Sequence, residues 1–258
     1  MIPKLIHYCW FGSKPLPEDA KKYIASWKKY CPGYEIKEWN ESNFDISACQ
    51  YIEDAYAAKK WAFVSDYARF WILYNYGGIY FDTDVEMIKP IDDILNQGAF
   101  MAIEAGPNIL VAPGLGIAVE KGNKIYGEIL AYYNKQAFFM DDGSINKETV
   151  VNKVANILKL NGYQANGDIE TIGGITIYPA EYFCPMNYYN GKTVITKNTR
   201  TIHHYAETWH NPAEKMIDGV RRKLYDTRFR DGLIQGIIVF PFRVWNKLIN
   251  IKEMRKNE

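Results

Sequence analysis

The chain has 258 residues, with 31 Lys and Arg against 30 Asp and Glu for a formal net charge of +1. That length suits one large domain, or one domain with an appendage. A 48% hydrophobic and 24% charged composition excludes dominant disorder, and the near-neutral balance argues against a surface that grips nucleic acid throughout.

Residues 5–10 read as a short apolar strand, broken by Phe11, Gly12, Pro15 and Pro17. A polar helix follows over 18–30, with Tyr23, Ile24 and Trp27 on one side, and Pro32-Gly33 ends it. Residues 34–39 alternate as a second strand, so the chain opens β-α-β, the start of a nucleotide-binding type of sheet. Neither a G-x-G-x-x-G nor a P-loop glycine pattern sits at its first turn, which removes most of the weight from dinucleotide and P-loop readings.

The segment 61–75 is a helix apolar nearly all round, the signature of a buried helix. Gly77-Gly78 stops it, and Ile79, Tyr80 and Phe81 form a short central strand. Nine of the 21 residues from Trp61 to Phe81 are aromatic, so the 15% aromatic content is concentrated here. A helical turn at 91–95, a strand at 99–104, a glycine-bearing loop at 111–117 leading into a helix, and helices at 124–136 and 147–160 follow. Short strands are expected at 175–178, 193–195 and 201–204.

The last 38 residues carry ten Lys or Arg against four acids, a local +6, and the first 220 therefore carry −5. We expect a catalytic body over 1–220 and a basic amphipathic, helical tail over 221–258. The tail's Phe, Trp and Ile residues among cations suit a membrane interface. No segment offers about 20 uninterrupted apolar residues. The N-terminus has no leader pattern, and the scattered Cys9, Cys31, Cys49 and Cys184 read as buried thiols of a reducing compartment. A cytoplasmic protein, peripheral on the inner face of the membrane, is the expectation.

Asp82-Thr83-Asp84 follows the central strand directly. In extended backbone, residues two apart face the same way, so both carboxylates can converge at the strand's carboxyl end. Paired hard oxygen ligands suit Mg²⁺ or Mn²⁺, and such an ion suits a diphosphate. Asp66 and Arg69 lie three apart on the buried helix and can face one another. Burying both charges is costly unless they are well paired or line a polar pocket. His203 and His204, with Trp209, offer a third metal ligand from a distant point in the sequence. His7 and Trp10 are core residues or a platform for a base.

The N-terminal I-P-K-L-I-H-Y-C-W-F-G, the block S-D-Y-A-R-F-W-I-L-Y-N-Y-G-G-I-Y-F-D-T-D-V (residues 65–85) and I-H-H-Y-A-E-T-W (202–209) together resemble glycosyltransferase family 32, the sugar-binding region with a D-x-D motif. The resemblance covers about residues 1–210. It implies an α/β fold of the GT-A nucleotide-diphospho-sugar transferase type, with a mixed central sheet and flanking helices. It also implies a divalent cation, Mn²⁺ or Mg²⁺, a nucleotide-sugar donor, a saccharide or lipid-linked saccharide acceptor, and transfer with retention.

By the same resemblance Asp84 binds the metal and Asp82 contacts the ribose or the metal shell. Asp66 and Arg69 hold the donor sugar, and Gly78 and Tyr80 shape the pocket. Trp10 stacks on the base with His7 beside it. Thr208 stands where the family has serine in its H-H-x-x-x-S-W segment, which brings His203, His204 and Trp209 to the site, His204 being the preferred metal ligand. A haloacid dehalogenase type of phosphatase also opens with D-x-D after a strand, but Glu86 stands where that class needs Thr or Val. A non-catalytic sugar-nucleotide or lectin-like module, or a transferase acting on protein, are the remaining readings.

Overall fold

A computed structural model of the chain describes residues 1–206, 211–225, 227 and 233–254. It divides into two compact units, one of residues 1–185 and 194–204, the other of 186–193 and 205–258. The body-to-tail boundary expected at 220/221 falls inside a helix of the second unit, Pro212–Leu224.

The first unit runs β1 (Leu5–Cys9), α1 (Glu18–Tyr30), β2 (Glu35–Trp39), α2 (Gln50–Ala57), α3 (Trp61–Tyr76), β3 (Gly78–Tyr80), β4 (Val85–Met87), α4 (Asp92–Leu95) and β5 (Ala99–Ala102). It continues with β6 (Ile117–Val119), α5 (Lys124–Tyr133), α6 (Val150–Leu160), β7 (Glu170–Ile172), β8 (Ile175–Tyr178), α7 (Ala180–Phe183) and β9 (Thr201–His203). Seven strands form one mixed sheet in the order β2-β1-β3-β6-β5-β8-β7, and β4 and β9 form a separate two-stranded ribbon. Strands β2, β1 and β3 are parallel, as are β5 and β8, while β6 is antiparallel to both its neighbours.

Three expectations meet a different structure. The segment after 111–117 enters β6 instead of a helix, because Ile117, Ala118 and Val119 are all fully buried between β3 and β5. A buried apolar run of three cannot be told from helix by periodicity. Residues 193–195 form only an isolated bridge, Met186 to Thr193. The D-x-D residues lie in a turn that Val85 N–H closes onto Asp82 O at 3.1 Å, so the carboxylates converge through a turn and not through strand alternation.

Helix α1 buries Ala20, Ile24 and Trp27, one stripe at helical spacing. Glu18 and Asp19 in its first turn and Lys28 and Lys29 in its last complement the helix dipole. Helix α3 buries Val64, Tyr67, Ala68, Phe70, Ile72 and Leu73 in the main core, as its all-round apolar pattern requires. Gly77 stops it with φ of 68°, and Gly78 begins β3 with φ of 101°, where a Cβ would lie 2.6 Å from Leu5 O. Gly78 therefore permits β3 to lie against β1. None of the four cysteines is in a disulfide, and Cys9, Cys31 and Cys184 are buried.

His7 sits in the middle of β1, with no exposed surface. Its Nε2–H donates to Gly77 O at 3.0 Å, and its Nδ1 accepts from Trp39 Nε1–H at 3.0 Å. The ring is thus a neutral cross-link between β1, the end of β2 and the α3–β3 turn. Burial pushes its pKa down to about 4, against the Gly77 hydrogen bond, and Lys37 adds to the fall. The donor-binding role expected for His7 gives way to this structural one, since no ring face reaches the surface.

The second unit contains α8 (Pro212–Leu224) and α9 (Leu233–Met254). Asn211 and Glu214 form a reciprocal capping box on α8, with Pro212 in its first turn, and Asn211 Nδ2–H also donates to Asn246 Oδ1 of α9 at 2.6 Å. Pro241 lies inside α9, and Ile238, Phe240, Val244, Trp245 and Leu248 of that helix are exposed. Among the described residues no helix is long and apolar enough to cross a membrane.

The neutral His7 sets a stability prediction. Its folded pKa lies below the usual histidine value, so below pH 6.5 the unfolded chain takes up a proton that the folded chain refuses until about pH 4. Stability from this group is complete above pH 6.5 and falls as pH drops through that window, by about 3 kcal/mol. Urea unfolding across pH 7 to 4 should show the slope, and His7→Gln should remove that part of it.

Candidate active site

Parallel strands β1 and β3 end side by side, so Trp10 and Asp82 emerge at the same sheet edge, where ligands of open α/β sheets bind. The anchor of that edge is Arg69 on α3, 4% exposed. Its Nη2 lies 2.9 Å from Asp66 Oδ1 and 3.2 Å from Asp82 Oδ1, so one guanidinium holds a carboxylate of its own helix and one beyond β3. The buried Tyr80 ring lies 5.1 Å beneath the guanidinium, and its hydroxyl donates to Asp82 Oδ1 at 2.9 Å. Asp82 N–H donates to Gly114 O at 3.1 Å, and a Cβ on Gly114 would collide with Asp82 Oδ2.

Burial pushes Asp66 up to about 6; Arg69 opposes the rise, Asp82 adds to it and Lys153 opposes it. Burial also pushes the neighbouring Cys9 thiol up to about 12, which leaves it unreactive.

Asp84 follows in the turn and meets His203 at the end of β9, with Oδ1 3.1 Å from Nε2. One ligand atom from each of Asp82, Asp84 and His203 fits within a mutual span of 4.8 Å. Burial alone would push His203 down, but Asp84, with Asp82 and Glu104 adding, raises it instead. Two carboxylate oxygens and an imidazole nitrogen, partly open to solvent, fit a divalent cation that keeps further positions for other oxygens.

His204, preferred from the sequence as the metal ligand, is turned elsewhere. Its Nε2 is 2.8 Å from Glu86 Oε2 and its ring stacks on Tyr23, with centroids 4.6 Å apart. The histidine next to it in sequence faces the aspartates because β9 pairs Val85 with His203. Trp10 is partly exposed and fixes its ring by donating Nε1–H to Lys14 O at 2.6 Å. Tyr80 is buried beneath the edge, whereas Gly78, expected to shape the pocket, lies at the other end of β3 against Leu5. Trp209 and Thr208 lie outside the described residues.

Sequence reasoning missed Gly114 and Lys153. The glycine-bearing loop 111–117 hints at the first. Lys153 lies on the buried face of α6, 3.0 Å from Glu148 Oε2, with the rings of Tyr51, Tyr132 and Tyr133 between 5.4 and 5.8 Å from its ammonium. This second buried cation is close enough to influence Asp66.

Comparison with known proteins takes in Asp66, Arg69, Asp82 and Asp84. Positions 17–101 match the family described as the glycosyltransferase sugar-binding region containing DXD motif. An uncharacterised glycosyltransferase of Acanthamoeba polyphaga mimivirus is 26% identical over 201 residues, covering 74% of this chain and 76% of that one. Inositol phosphoceramide mannosyltransferase 1 of Schizosaccharomyces pombe is 29% identical over 115 residues, covering 41% of this chain and 35% of that one. The chain therefore spans about a third of the length of that yeast relative. Among solved structures, the PaToxG glycosyltransferase aligns with a TM-score of 0.46 at 21% identity, covering 62% of this chain and 69% of that one.

Residues 17–101 thus match a glycosyltransferase sugar-binding region, carried on an α/β fold with a mixed central sheet and flanking helices. The D-x-D of that region is Asp82-Thr83-Asp84.

Two substitutions test this construction. Gly114→Ala should drive Asp82 from Arg69 and Tyr80, lowering transfer at least about tenfold, a loss of about 1.4 kcal/mol of transition-state stabilisation, with the circular dichroism spectrum retained. Glu148→Ala strands the Lys153 charge in the core and should lower unfolding stability by about 3 kcal/mol in urea titration.

Proposed function

We propose that the protein is a divalent-metal-dependent, retaining hexosyltransferase that moves a sugar from a nucleotide-sugar donor, a UDP-hexose first, to a saccharide acceptor. The observation that carries the reading is the convergence of Asp82, Asp84 and His203 at the carboxyl edge of β1 and β3. These three residues would hold the ion, and the imidazole favours Mn²⁺ over Mg²⁺, which prefers an all-oxygen octahedron. Bound there, the ion supplies positive charge against the negative charge that builds on a departing diphosphate.

The chain's own groups do the rest. Trp10 offers a ring at the same edge for the base. Arg69 keeps Asp82 and Asp66 in place, and Asp66 faces the donor sugar, where its carboxylate stabilises positive charge as the glycosidic bond lengthens. Fixed side chains around the sugar hold the acceptor hydroxyl on the face from which the diphosphate leaves, which gives retention without an enzyme nucleophile.

The acceptor in this reading is a lipid-linked saccharide of a bacterial capsular or surface polysaccharide. The exposed Phe240, Val244, Trp245 and Leu248 of α9, interspersed with Arg243 and Lys247, support docking on the inner face of an anionic membrane. The yeast relative's name, with inositol phosphoceramide as acceptor and mannose as the sugar, favours a lipid acceptor and makes mannosyl transfer the second reading.

A panel of nucleotide sugars with Mn²⁺, read by thermal shift and released nucleotide, should give one productive donor; the absence of any donor response would remove the reading. Asp84→Ala should lower metal-dependent transfer about 100-fold or more with its melting temperature preserved, and full activity would dismiss the site. Flotation should carry the protein with vesicles containing anionic lipid, and removal of residues 221–258 should leave it behind.

A further inference from the structure

The β4–β9 ribbon carries two histidine–carboxylate pairs side by side. Asp84 and His203 belong to the site; Glu86 and His204 do not, yet they are as closely joined, at 2.8 Å. The second pair is tied to the first through the backbone, since His204 N–H donates to Asp84 O at 3.0 Å.

Helix α1 grips this ribbon with one turn of its surface. Trp27 Nε1–H donates to Val85 O at 2.8 Å, Ser26 Oγ accepts from Met87 N–H at 2.9 Å, and the Tyr23 ring lies flat on His204 with an interplanar angle of 7°. Positions 23, 26 and 27 share a helix face. Ser26 and Trp27 fix β4, the strand that begins just after Asp84. Tyr23 fixes the residue that follows His203. Of the two strand ends that supply Asp84 and His203, each therefore has its own contact to the same rigid helix.

We infer that Tyr23, Glu86 and His204 form a positioning clamp that sets the spacing of Asp84 and His203, and with it the affinity for the divalent cation. The inference rests on the reading of Asp82, Asp84 and His203 as the cation's ligands. Ligand spacing is tolerant to only about 0.2 Å, and partners that orient ligands typically contribute about 10–100-fold in metal affinity. The clamp residues lie outside the Asp82, Asp84 and His203 cluster, so they act through His203 and Asp84.

The test is Mn²⁺ binding to the full chain by isothermal titration calorimetry, alongside the Mn²⁺ dependence of transfer. Tyr23→Ala and Glu86→Ala should each weaken Mn²⁺ binding about 10-fold or more, and Tyr23→Phe, which keeps the stacked ring, should restore affinity to within about twofold of the parent. The concentration of Mn²⁺ for half-maximal activity should rise in step, with kcat at saturating Mn²⁺ little changed. Tyr23 is only partly buried, and Tyr23→Leu, which fills the volume without an aromatic face, should behave as Tyr23→Ala does. Parent-like Mn²⁺ binding in both Tyr23→Ala and Glu86→Ala overturns the clamp while leaving the metal site standing. A parent protein that binds no Mn²⁺ overturns the metal site and the clamp together.

Discussion

The functional edge depends on one buried guanidinium. Arg69 is held under α3, and Asp66 and Asp82 both lie on its Nη2. A lone charge at that depth is costly, and removing either carboxylate would leave the cation undercompensated. Asp66 depends on it in turn, because burial would drive that carboxyl further toward protonation without the positive charge beside it. Arg69 therefore ties two partly buried acids into one unit around its own buried charge, with Tyr80 completing it by a hydrogen bond to the same oxygen of Asp82. The aromatic crowding of α3 and β3 excludes water from this unit, which strengthens the pairing and leaves the outer oxygens of the acids as the surface presented to a ligand.

Against that fixed unit, Asp84 and His203 are contributed by a ribbon outside the main sheet. The site thus joins a part held by core electrostatics to a part held by packing on α1. The distinction explains why adjacent residues in sequence do different work. Asp82 is bound to the core and Asp84 to the ribbon, although one residue separates them. His203 faces the acids and His204 faces Tyr23, although nothing separates them.

Much of the frame was legible in the sequence. The stripe on α1, the all-round apolar α3, the glycine pair after it and the D-x-D beyond β3 each carry a local physical signature, and the Asp66–Arg69 spacing announces a pair on one helix face. What the sequence left open depends on partners far along the chain. The choice between His203 and His204 is made by the register of β9 on β4. His7 looks as suited to a ligand as to the core until Gly77 and Trp39 are seen to occupy both its nitrogens. Lys153 carries no local signal of burial, and only the folded chain surrounds it with tyrosines. Strand β6 is too short for its pattern to declare a period.

The reversed direction of β6 has a geometric result. In a wholly parallel sheet one edge receives only the segments that leave strands, and those that enter strands lie at the opposite edge. Because β6 runs against β3, the segment entering it arrives where the segment leaving β3 departs. Gly114 comes to Asp82 by that route, as a floor laid from the other direction. One inverted strand in the middle of the sheet gives this rim a wall that uniform polarity could not have supplied.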